Sequence, residues 1–78
     1  MPKIPPLKAK RVVNALLKSG FYIHHQSGSH VQLRHETNSK LRVTIPRHDR
    51  FDLPPFVVNS ILKQADISRE DLISLLKK

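Results

Sequence analysis

The tripeptide Gly28-Ser29-His30 stands between two short apolar runs, Phe21 to Gln26 and His30 to His35. A Gly/Ser turn followed by strand-patterned residues puts the imidazole of His30 at the first residue of a strand. An imidazole exchanges protons near neutral pH. It can take the proton of a ribose 2′-hydroxyl, or return one to a leaving 5′-oxygen. The freed 2′-oxygen attacks the adjacent phosphorus, and cations on the non-bridging oxygens stabilise the charge that develops. That route to phosphodiester cleavage requires no metal. Gly28 has no Cβ to obstruct an approaching backbone, and Ser29 can donate a hydrogen bond to a phosphate. Taken by itself, the tripeptide also describes a surface histidine beside an ordinary turn.

The other histidines divide by position. His24 and His25 are adjacent, so strand alternation turns them to opposite faces and they do not share one ion. The chain has no cysteine and no acidic residue before Glu36. The three or four ligands that zinc takes are missing, and neither a metal nor another cofactor is expected. His48, after Pro46-Arg47, reads as a second proton-transfer group, a phosphate contact or a solvated loop residue. His35 falls on the apolar parity of its strand and reads as structural.

The elements that must position these residues follow from periodicity. Met1 to Pro6 is proline-rich and reads as an irregular arm. A helix is predicted from about Leu7 to Ser19, with Ala9, Val12, Val13, Leu16 and Leu17 as its apolar stripe and Gly20 just past its end. Three antiparallel strands follow, over Phe21–Gln26, His30–His35 and Leu41–Ile45. The second and third are joined by a hairpin loop over Glu36–Lys40. Their polar parity gives one face Tyr22, His24, His30, Gln32, Arg34, Arg42 and Thr44, a surface without an acid. Tyr22 is the one exposed aromatic expected there.

A loop over Pro46–Pro54 leads to a second helix. Pro54 is its expected N-cap and Pro55 its first residue, and its stripe is Val57, Val58, Ile61, Leu62 and Ala65. A short third helix starts at Ser68, whose spacing to Asp71 is that of a capping box, with Ile67 and Leu72 at the staple positions. The terminal lysines complement its dipole.

Seventy-eight residues are expected to make one domain with a small core of Leu, Ile, Val and the three Phe. Lys and Arg number 14 against 6 Asp and Glu, a net charge of +8. Such a surplus favours an anionic partner: nucleic acid, an acidic protein or a membrane surface. No signal peptide and no membrane-length apolar segment are visible, so a cytoplasmic protein is expected.

The run Gly20-Phe21, Gly28-Ser29-His30-Val31, Val43-Thr44-Ile45-Pro46-Arg47-His48 and Ile61-Leu62-Lys63-Gln64-Ala65 resembles the HicA (YcfA-like) toxin family, from about Leu7 to Leu72. The resemblance implies an α+β fold of the double-stranded-RNA-binding type. That fold is α-β-β-β-α, with two helices packed on one face of a three-stranded antiparallel sheet. Here a short C-terminal helix is added. It implies a messenger-RNA interferase that halts translation, with His30 as the catalytic residue and a HicB-like antitoxin that binds the toxin and blocks that site. Many members carry a Gly-Thr-Leu-like segment where this chain has Leu53-Pro54-Pro55-Phe56.

Both lines of reasoning converge on a basic open sheet with His30 at its rim; with what the resemblance implies, the expectation is a metal-independent endoribonuclease that acts on mRNA, needs no small-molecule cofactor and no membrane, and uses His30. Gly28, Ser29, His24, Arg34, Arg42, Arg47 and His48 are the expected RNA contacts. The alternative is a basic RNA-binding module without catalysis, whose binding would be salt-sensitive and independent of His30.

Overall fold

The computed structural model describes Ile4, residues 6–47 and residues 50–77. The elements run α1 (Ala9–Lys18), β1 (Phe21–Ser27), β2 (His30–His35), β3 (Arg42–Pro46), α2 (Pro55–Ala65) and α3 (Arg69–Leu76). This is an α+β fold with an open antiparallel sheet in the order β1-β2-β3. Of the expected N-terminal arm only Ile4 and Pro6 are described, and Ile4 packs against the core.

Alternation in β2 and β3 builds the core. Val31, Leu33, Val43 and Ile45 are buried on one face, where they meet Val12, Leu16, Ile61 and Leu72 from the three helices. Each such side chain contributes about 1.5–3 kcal/mol of burial. In α1 the buried residues are Ala9, Val12, Val13, Ala15 and Leu16, while Leu17, expected in the stripe, stays 41% exposed. The helix packs on α3 as well as on the sheet, and its covered arc shifts towards Ala15. Two of the three phenylalanines also depart from expectation. Phe21 is 3% exposed, but Phe51 and Phe56 are 70% and 75% exposed and lie outside the core.

The helix ends follow local chemistry. Pro54 is the N-cap of α2 and Pro55 its first residue, where a missing N–H costs nothing. The helix closes on Asp66, which is left-handed at φ +57°, and Ile67 N–H donates to Leu62 O at 3.1 Å. Ser68 caps α3 by accepting from Asp71 N–H at 3.0 Å. Leu72 at the staple position is buried, and Ile67 packs against the core. No basic residue lies in the last turn of α3, because the helix stops at Leu76. Helix α1 has no side-chain cap, and Lys8, Lys10 and Arg11 crowd its positive end. Its apolar face holds it in place against that unfavourable dipole interaction.

The edge strand β3 is covered in part by α2. Gln64 Oε1 accepts from Thr44 N–H at 3.0 Å, and Gln64 Nε2 donates to Ser60 Oγ at 3.1 Å. This side-chain amide satisfies a strand group that would otherwise face water or another chain.

Candidate nucleic-acid interface

The face of the sheet away from the helices is open. It is ordered in three rows by the register. Ser27, His30 and Pro46 form the first row, His25, Gln32 and Thr44 the second, and Tyr22, Arg34 and Arg42 the third. No carboxylate belongs to any of these strands.

The middle row corrects the sequence reading. A β-bulge falls between Ile23 and His25, so Ile23 pairs with Leu33 while His25, not His24, stands opposite Gln32. The extra residue is His24, which is exposed and has no partner in the register. A bulge of this kind reverses the side-chain parity of everything beyond it on the strand. Nothing in the polar run His24-His25-Gln26 signals it, because no apolar alternation fixes the register there. Ile23 lies on the helix-covered parity yet is 44% exposed, at the sheet's β1 edge.

His30 begins the central strand, as expected, and its side chain is exposed. The turn before it comprises Gly28 and Ser29, with Ser27 and His30 as the closing pair. Gly28 has φ +56° and Ser29 is not left-handed, the arrangement of a two-residue hairpin with glycine first. Among the described residues, its chain neighbours aside, no atom lies within 4 Å of where a Gly28 Cβ would stand. Its requirement is therefore the backbone angle, and the space beside it is open.

The main chain of Arg47 is fixed at this end. Its backbone N–H donates to Ser29 O, and it directly follows Pro46, the partner of His30. Arg34 and Arg42 face each other across β2 and β3. They lie four residues from His30 along β2, or about 13 Å at strand rise. They share a face with His30 and stand two rows away from it. His48 lies outside the described residues. Among the described residues, no three His, Asp or Glu side chains come together as metal ligands would.

His35, at the other end of β2, is tied on both sides of its ring. Thr37 N–H and Asn38 N–H both donate to Nδ1 at 3.2 Å. That leaves Nε2 to carry the proton and donate to Ser19 O, also at 3.2 Å. The ring packs edge-on to Phe21 with centroids 4.9 Å apart. Gly20 has φ +93°, and a Cβ there would stand 2.9 Å from His35 Nε2. One structural histidine thus joins the end of α1, the start of β1 and the β2–β3 loop.

A concavity of about 680 Å³ lies elsewhere, between α2 and α3, with Asn59, Lys63, Asp66 and Arg69 in its lining. No residue of the sheet contributes to it. Among the described residues, no helix is long and apolar enough to cross a membrane.

Fold and site together define a small cationic α+β protein with an uncovered sheet face, a histidine at the rim of that face and, beside it, an arginine bonded through its main chain. The family model described as "HicA toxin of bacterial toxin-antitoxin" matches residues 9–67. The chain belongs to the HicA toxin family, and with it to the toxins of bacterial toxin–antitoxin systems. No curated protein matches it.

Proposed function

We propose that this toxin is a metal-independent endoribonuclease that cleaves mRNA in the cytoplasm and so arrests translation. The observation that carries the reading is the exposed ring of His30 on the open sheet face, one strand across from the anchored Arg47. His30 performs the principal proton transfer at the 2′-hydroxyl or at the leaving 5′-oxygen. Arg47 lies against the phosphate undergoing attack, with Ser29 as a hydrogen-bond donor and Gly28 leaving room for the strand. Arg34 and Arg42 contact the RNA beyond the scissile position, and His48 is a further contact. A HicB-like antitoxin neutralises the toxin by covering the same face.

Incubation of the purified chain with RNA in excess EDTA tests this. Internal attack by the 2′-oxygen yields one fragment ending in a 2′,3′-cyclic phosphate and one beginning with a 5′-hydroxyl. The expected result is that both ends appear with the chelator present. Salt-sensitive RNA binding with no products would identify a binding module instead.

A further inference from the structure

Cleavage by internal attack moves two protons. One leaves the 2′-hydroxyl as its oxygen bonds to phosphorus, and one reaches the 5′-oxygen as its own bond to phosphorus breaks. The attacking and leaving oxygens lie in line on opposite sides of the phosphorus. Two proton-transfer groups, one on each flank, serve that step better than a single ring.

The register supplies a second imidazole. The bulge in β1 sets His25 opposite Gln32 and Ser27 opposite His30. His25 and His30 are therefore diagonal neighbours on the open face, about 7–8 Å apart across the two strands. Both are exposed, and neither side chain hydrogen-bonds to the described residues. Rings at that spacing can hold opposite oxygens of one phosphate group between them. With regular pairing continued from Ile23 and Leu33, His25 would fall on the helix-covered parity and the longer Gln26 would stand opposite His30. The bulge exchanges those places. Bulges beside active sites re-aim side chains in this way. The charged or titratable neighbours of His25 are His24 in the bulge, Tyr22 on its own strand, and His30 and Arg34, its two diagonals on β2. No carboxylate of the three strands is present to hold either ring in an ion pair.

We infer that His25 is the second proton-transfer group of this toxin, working with His30 across one scissile phosphodiester. The inference rests on the nuclease reading and completes its proton balance. One ring starts neutral and takes the 2′-hydroxyl proton. The other starts protonated and gives its proton to the 5′-oxygen. The bond from the 2′-oxygen to phosphorus forms as the bond to the 5′-oxygen breaks, which leaves a 2′,3′-cyclic phosphate and a 5′-hydroxyl. The rings finish with their protonation states exchanged, and water restores them.

The test compares His25→Ala, His25→Gln and His30→Ala with the parent chain in single-turnover cleavage at saturating RNA, as a function of pH. Gln26→Ala, on the other parity of the same strand, controls for disturbance of β1. Thermal midpoints are read on the same preparations and should match the parent, because the replaced side chains are exposed. The parent profile is expected to be bell-shaped, with one limb from each ring. Both His25 variants should cut about 10²–10⁴-fold more slowly and keep one limb only. A second substrate carries sulfur in place of the scissile 5′-oxygen, a leaving group that departs without a proton. One of His25→Ala and His30→Ala should recover on it, and that variant is the one that lacks the acid. A folded His25 variant that cuts at the parental rate, or more slowly with the bell intact, would overturn the inference. So would an equal loss in Gln26→Ala, or recovery of both variants or of neither on the sulfur substrate. The nuclease reading would survive each of these results as long as His30→Ala stays inactive on ordinary RNA. A parent chain that yields no products overturns both readings at once.

Discussion

Strand β2 begins and ends with histidine, and the two ends differ in every respect that matters. His35 has both ring nitrogens engaged by backbone groups and packs T-shaped with Phe21. His30 is exposed, sits on an open face next to a hairpin turn, and makes no side-chain hydrogen bond to the described residues. One residue type thus serves architecture at one end and is available for chemistry at the other. The difference lies in what surrounds each ring. At His35, Gly20 admits the ring and the β2–β3 loop folds over it. At His30, the glycine of the turn leaves space open.

That comparison can be broken most sharply by removing each imidazole in turn. His30→Ala is expected to lower the cleavage rate by about 10²–10⁴-fold, the usual contribution of a positioned acid or base. Its thermal midpoint should hardly move, because the side chain is exposed. His35→Ala should do the reverse. Loss of its hydrogen bonds and ring contact is expected to cost about 1–3 kcal/mol of stability, read from denaturant midpoints, with cleavage per folded molecule retained.

The rows of the open face allow a finer test. Arg34 and Arg42 stand two rows from His30 on the open face, and each is replaced by Ala. Each is expected to weaken RNA binding across all sequences and reduce the salt slope by about one, with the single-turnover rate at saturation unchanged. The smallest effect concerns the helices alone. Asp66→Gly relieves a left-handed non-glycine residue and is expected to add about 0.4–1 kcal/mol in thermal or denaturant unfolding, without touching RNA.

Most of this architecture could be read from residue order. Alternation in His30–His35 and Leu41–Ile45 gives the helix-covered face, the Ser68/Asp71 spacing gives the cap of α3, and Pro54-Pro55 gives the start of α2. His35 as a structural residue follows from its parity. What escaped was set by distant parts of the chain or by degenerate local pattern. The bulge at His24 occurs where three polar residues leave the register unspecified, so the place opposite Gln32 passes to His25. Ala15 replaces Leu17 in the buried arc because α3 returns to pack on α1. Phe51 and Phe56 read as core by type alone. Phe51 lies in a loop held by Lys8 through residues 50 and 52, far apart in sequence, and Phe56 lies off the buried side of α2. The usable hint was a phenylalanine set between Arg50 and Asp52 in a charged loop, and another off the apolar stripe of α2.

The most direct test of the account is one preparation of His30→Ala read twice, for its thermal midpoint and for its single-turnover rate on RNA in EDTA. The account predicts a native midpoint with cleavage reduced at least a hundredfold. A folded His30→Ala chain that cuts RNA at the parental rate would contradict it.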